Sequence, residues 1–181
     1  MASPLDPKYQ NENLDAKIVV GLERIYEAYR LLLSEEARQY NLSPVQIQIL
    51  IFIFHHSSQQ NTLSYLSREF SLTKATLSQS IKTLENKEFL FRKTNPKDNR
   101  SQYLCLTDKG ISIVNKAQHF TQLMEVPIQQ LSTGAQEQLW RALKEILLSL
   151  QGGGAVSLQR MCLNCAWYKS ETSTHYCNLL K

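Results

Sequence analysis

The chain reads as mainly α-helical with one short β-hairpin, on three observations. Apolar residues recur by threes and fours along several separate stretches, and side chains suited to helix capping stand at the starts of most of them. One pair of short alternating segments flanks a turn rich in Asn, Pro and Asp. The charge is distributed unevenly over this plan. Residues 62–110 hold nine Lys/Arg against five Asp/Glu, an excess of four that equals the formal net charge of the whole 181-residue chain. A quarter of the chain carrying the entire positive surplus is offered to a polyanion.

Residues 1–13 are polar with two prolines and read as a flexible arm. A long helix is predicted from Leu14 to about Gln39, with Leu14, Ile18, Leu22, Ile25, Tyr29, Leu32 and Leu33 on its apolar stripe. Ser43-Pro44-Val45-Gln46 combines a cap, a proline at the first helical position and the Gln of a capping box. The helix it starts, Pro44–His56, is apolar on nearly all sides and belongs at the buried centre. A buried strand is the competing reading, and the cap signals favour a helix. His55 and His56 end it, where the helix dipole favours a cation.

A short helix over Thr62–Phe70 and a two-residue link, Ser71-Leu72, lead to Thr73, the cap of a helix ending near Asn86. Leu77, Ile81 and Leu84 share the core face of that helix. The opposite face is Ala75, Gln79, Lys82 and Asn86, flanked by Thr76, Ser78 and Thr83, with no carboxylate before Glu85. Such a face enters a major groove without repelling phosphates, and Gln79 suits an adenine edge. Two strands follow, Phe89–Lys93 and Gln102–Leu106, joined by residues 94–101, with Lys93, Lys97 and Arg100 on or beside the turn. Leu104 and Leu106 fall on one face, Tyr103 and Cys105 on the other, and Cys105 reads as a packed or half-exposed strand residue.

Thr107 caps a further helix that ends or kinks before Pro127, and Ser132 caps the last long one, striped by Leu139, Leu143, Ile146 and Leu150. Gly152-Gly153-Gly154 breaks it with a flexible joint. No apolar run approaches the length a membrane helix needs, and the amino terminus lacks an export profile, which predicts a cytoplasmic protein without membrane contact.

The segments LSPVQIQIL, LSREFSLTKATLSQSIKTLE and NPKDNRSQYLCLTDKG resemble the MarR family (multiple-antibiotic-resistance regulators) over about residues 14–150. The most specific part is Asp98-Asn99-Arg100-Ser101 before a strand ending Leu106-Thr107-x-x-Gly110. The resemblance implies a winged helix-turn-helix lobe over 43–110 and a dimerisation region over 14–42 and 111–150. It implies a homodimeric regulator, usually a repressor, on a pseudo-palindromic double-stranded operator. Position by position, Thr73, Lys74, Ala75, Thr76, Ser78, Gln79 and Lys82 fall on the recognition helix. Lys93, Lys97, Asp98 and Arg100 fall on the wing, Arg100 as the minor-groove arginine and Asp98 as the acid that orients it. Where the family has Gly after the recognition helix this chain has Glu88, which costs about 1 kcal/mol or more if the backbone there is left-handed. MarR-like proteins often hold a small organic effector between the two regions, where Tyr26, Tyr29 and Phe52 are candidate lining.

The segment 151–181 lies outside that resemblance. It holds Cys162-x2-Cys165 and then His175-x-Cys177, a metal-ligand pattern in a stretch too short to build its own core. An iron–sulfur cluster and a zinc ion both fit these residues, and a metal-free thiol switch between Cys162 and Cys165 is the third reading. The two-residue spacing of His175 and Cys177 is tight for one zinc ion, which favours three cysteines with an open or remote fourth ligand. The sequence therefore points to a DNA-binding regulator whose operator affinity the tail tunes. An enzyme lacks support, for there is no phosphate loop and no nucleophile–base constellation. A nonspecific architectural DNA protein is the remaining alternative.

Overall fold

Eight helices and two hairpins are present in the computed structural model, which describes residues 3–95, 98–154, 168–171 and 174–177. Helices α1 (Pro7–Glu12), α2 (Leu14–Gln39) and α3 (Pro44–His55) are followed by α4 (Leu63–Glu69) and α5 (Lys74–Asn86). Strands β1 (Leu90–Asn95) and β2 (Asp98–Leu106) form the first hairpin, and α6 (Asp108–Ala117), α7 (Gln122–Gln129) and α8 (Thr133–Gly152) follow. A separate hairpin, β3 (Tyr168–Glu171) with β4 (Thr174–Cys177), ends the described chain.

The core forms around α3, whose Ile47, Ile49, Leu50, Phe52 and Ile53 are buried. Its start is the expected capping box: Ser43 Oγ accepts from the Gln46 amide, and Gln46 Oε1 accepts from the Ser43 amide at 2.9 Å. Leu33 and Ala37 of α2, Leu66 of α4, Leu77, Ile81 and Leu84 of α5, Leu104 of β2 and Val114 of α6 close around it. Asn61 ties this centre together. Its Nδ2 donates to the carbonyls of Ile53 (3.0 Å) and His56 (3.2 Å), and its own carbonyl accepts from the Leu104 amide at 2.8 Å. Thr62 then bridges to Tyr103, so the α3–α4 link runs alongside β2.

Four expectations are corrected. The arm over residues 1–13 contains α1, because Asp6 caps the Lys8 amide and Pro7 suits the first helical turn. The helix capped by Thr107 does not run on toward Pro127. It turns at residues 118–121, where Phe120 folds back edge-on to Tyr29 with ring centroids 5.3 Å apart, and Pro127 sits inside α7. The first hairpin is longer than its apolar alternation suggested, since polar residues 94–95 and 98–101 continue the strands, with a register irregularity at Thr94/Asn95. Finally, the surroundings of His56 work against the cation expected there. Its imidazole stacks on Phe52 at 3.6 Å and its Nδ1 bonds the Phe52 carbonyl at 2.8 Å, and burial pushes its pKa down despite that bond.

Helices α2, α4 and α5 end alike. After each, a residue with a left-handed backbone (Asn41, φ 53°; Ser71, φ 52°; Glu88, φ 60°) turns the chain, and the next amide returns to a carbonyl five residues back. These bonds are Leu42 to Ala37 (3.0 Å), Leu72 to Ser67 (3.0 Å) and Phe89 to Leu84 (2.9 Å). Each is the Schellman closure, in which the residue after the turn buries against the last helical turn. None of the three positions is glycine.

Candidate nucleic-acid interface

The exposed side of α5 is built by its caps and its core face together. Thr73 Oγ1 accepts from the Thr76 amide at 3.1 Å and lies 2.9 Å from Thr76 Oγ1, which fixes the first turn. Burial of Leu77, Ile81 and Leu84 then rotates Thr73, Lys74, Ala75, Thr76, Gln79, Lys82 and Asn86 to solvent, as expected, with Ser78 half-buried. Thr83 Oγ1 is committed to the Gln79 carbonyl at 3.1 Å. The one carboxylate on the helix, Glu85, is paired: Arg92 Nε donates to it at 2.9 Å and a terminal nitrogen at 3.4 Å.

That pair sorts the basic residues of the lobe. Arg92 braces β1 against α5, Lys87 Nζ donates to the Asn41 carbonyl at 2.6 Å, and Lys109 Nζ donates to the Lys87 carbonyl at 3.1 Å. Arg68 lies over the Tyr65 ring at 5.8 Å. Lys74, Lys82 and Lys93 have no ion pair among the described residues, which leaves them for an external anion. The summed charge could not separate braces from free cations; a Glu on the last turn of a helix, seven residues before an Arg on the following strand, was the available signal for Arg92.

Of the hairpin residues, Lys93 pairs in register with Tyr103 and is exposed. The backbones of Asp98 and Arg100 lie in β2, while their side chains, and Lys97 altogether, fall outside the described residues. Cys105, opposite Phe91, is half-exposed as expected, and burial pushes its thiol pKa up against the lowering effect of Lys93.

The join between α5 and the hairpin explains the Leu-Thr-x-x-Gly run. Thr107 Oγ1 donates to the Glu88 carbonyl at 2.6 Å and accepts from the Gly110 amide at 3.0 Å, while its own amide donates to the Phe89 carbonyl at 3.1 Å. Gly110 packs so closely that a Cβ on it would stand 2.0 Å from Phe89 O. The first turn of α6 thus clamps the backbone where α5 ends. Glu88 holds the left-handed turn there, which the sequence reading gave only as a condition. Glu88→Gly is expected to raise stability by about 1 kcal/mol, read as a higher urea midpoint at unchanged slope. Only a long ion pair to Lys109 (3.7 Å, largely exposed) is lost.

A cavity of about 220 Å³ lies between α2, α3 and the α6–α7 turn. Tyr29 and Phe52 line it, as expected, along with Gln48, His55, His56 and Phe120; Tyr26 is exposed and does not. Gln48 Nε2 donates to Tyr29 Oη at 3.1 Å, and His55 Nε2 lies 2.9 Å from Gln118 Oε1. In the tail, His175 and Cys177 lie on β4, and Cys162 and Cys165 fall outside the described residues. Among the described residues no cluster of His, Cys, Asp or Glu is placed to hold a metal ion, and no helix is long and apolar enough to cross a membrane.

Helix, turn, exposed helix and clamped hairpin define a winged helix-turn-helix fold. Residues 32–117 match the family model of the SarA/Rot transcriptional regulators. The transcriptional regulator MhqR of Bacillus subtilis (strain 168) is 26% identical over 99 residues, covering 55% of this chain and 67% of that protein. The uncharacterised regulator YkoM of the same organism is 28% identical over 81 residues, covering 45% of this chain and about half (51%) of its own length. The fold is that of S. aureus MepR in its DNA complex (TM-score 0.62, 22% identity, 73% of this chain and 97% of that one). It is shared by a MarR regulator of Methanosarcina mazei Go1 (TM-score 0.59, 17% identity, 73% and 94%).

Proposed function

We propose that the chain is a cytoplasmic, homodimeric, sequence-specific DNA-binding regulator, a repressor by its family resemblance, and not an enzyme. The observation that carries this is the exposed face of α5. It presents Lys74, Ala75, Thr76, Gln79 and Lys82 free of carboxylates, and the one acid beyond them is neutralised by Arg92. A helix with this surface fits the major groove while the hairpin follows the neighbouring phosphates. The MepR structure being a DNA complex and MhqR being a transcriptional regulator support the same reading.

The homodimer rests on helices that find nothing to bury against in a single chain. No residue of α7 or α8 is buried, and Leu139, Trp140, Ile146, Leu148 and Leu150 are exposed along α8, with Leu14, Ile18 and Ile25 on α2. A second copy of the same helices covers such faces.

The test is Gln79→Ala combined with Arg100→Ala, measured on an operator recovered by selection from random duplexes. Selective affinity is expected to fall about a hundredfold, each contact contributing roughly 1–3 kcal/mol. Binding to unrelated duplex should fall far less. Equal affinity for operator and unrelated DNA in the parent chain would leave an architectural protein instead.

A second reading concerns control. The cavity beside Tyr29, Gln48 and His55 is of a size for a small organic effector, and it lies between the helices that set the dimer and the core of the DNA-binding lobe. The tail is the other input: a metal or redox change there would tune operator affinity by shifting the spacing of the two α5 helices. Operator titrations with the tail metal loaded and stripped test that input.

A further inference from the structure

Most hydroxyls on and around α5 already have partners in the helix itself. Thr73 Oγ1 accepts from the Thr76 amide at 3.1 Å, and the two threonine hydroxyls bond each other at 2.9 Å. Farther along, Ser80 Oγ donates to the Thr76 carbonyl at 3.2 Å, and Thr83 Oγ1 donates to the Gln79 carbonyl at 3.1 Å. An oxygen held against its own helix or cap fixes χ1 and leaves the γ-methyl as the group a threonine presents. At about 100° per residue, Thr76 and Thr83 fall on one flank of the stripe made by Ala75, Gln79, Lys82 and Asn86. Ala75, Thr76 and Gln79 are exposed, and Thr83 is half-buried.

The same helix contains no arginine, the side chain that most often reads guanine through O6 and N7. Its lysines stand elsewhere: Lys74 on the flank away from Thr76, and Lys82 about two turns beyond Ala75. In a helix-turn-helix the first turns of the second helix approach the base edges. There α5 offers the Ala75 methyl, the Thr76 γ-methyl and the Gln79 amide. Thymine carries the one apolar group on the major-groove edge, its C5 methyl, and adenine carries the N6/N7 pair that a glutamine amide matches. A G·C pair offers neither.

We infer that Ala75 and Thr76 determine specificity by packing their methyl groups on thymine C5 methyls, beside an adenine held by Gln79. The threonine hydroxyls serve the helix and read no base. This rests on the DNA-binding reading of α5 proposed above, and adds which group on the duplex is read.

The experiment uses the full chain and the operator recovered by selection from random duplexes. Each thymine of a half-site is replaced singly by deoxyuridine, which removes the methyl and keeps the base pair. One or two positions per half-site are expected to lose affinity roughly fourfold, the value of one buried methyl group. Thr76→Ser keeps the hydroxyl and its bond to Thr73 and removes the γ-methyl alone. It should bind the parent operator roughly fourfold more weakly and be indifferent to deoxyuridine at one of those positions. Ala75→Gly should lose the sensitivity at the other, with circular dichroism confirming that the helices are intact. Parent affinity unchanged by deoxyuridine at every position overturns the inference and leaves selective binding, measured in the same titrations, standing. A loss that persists at full size in both variants belongs to the stiffness of the duplex and overturns it too. Recovery of no preferred operator removes the DNA-binding reading and the inference with it.

Discussion

Gly110→Ala is expected to destabilise the protein by about 3 kcal/mol or more, among the largest effects available to a single methyl group. The added carbon would stand 2.0 Å from Phe89 O and 3.0 Å from Phe89 C, and both are backbone atoms. No rotamer change relieves such a contact, so α6 must back away from the chain. That retreat breaks the bonds from the Thr107 hydroxyl and amide to the Glu88 and Phe89 carbonyls. Phe89 and Leu90 are buried, so the disturbance passes into the core and into the angle between α5 and the wing. Urea denaturation reads the effect, with Gly134→Ala as the control: nothing lies within 4 Å of a Cβ there, and helix propensity favours alanine. A Gly110→Ala midpoint equal to the parent's would mean that α6 does not clamp this join.

Leu139→Glu with Ile146→Glu is expected to convert the proposed homodimer to folded monomers and to weaken operator binding roughly a thousandfold, because one lobe then grips one half-site. Both residues are exposed on a helix that buries nothing in its own chain, so the single chain loses no packing. Across a dimer seam the same carboxylates face apolar surface and each other, at a cost of several kcal/mol. Sedimentation velocity reads the association state and circular dichroism confirms the helices. A variant that still sediments as a dimer would move the seam off α8.

The parts of this fold legible in sequence are those governed by local rules. Ser43, Thr73, Thr107 and Ser132 all read as caps in the sequence, and each hydroxyl accepts from the amide three residues on. The exposed face of α5 followed from periodicity, because Leu77, Ile81 and Leu84 leave no choice of which side is buried. Long-range pairings were not legible. That Lys87 reaches the end of α2, or that Asn61 stitches α3 to β2, depends on where remote segments meet. The turn before α7 was missed for the same reason, since Phe120 turns toward Tyr29 across ninety residues of chain.

Asn41, Ser71 and Glu88 leave the molecule with an unevenly spread resistance to opening. Two of them bracket α5, one at each end, so the helix hangs between joints that glycine would relax. Each joint lies uphill by roughly 1 kcal/mol. Amide exchange should therefore begin at residues 71–73 and 87–89 before it reaches Leu77 and Ile81, so α5 can adjust its tilt while its packed face stays shut.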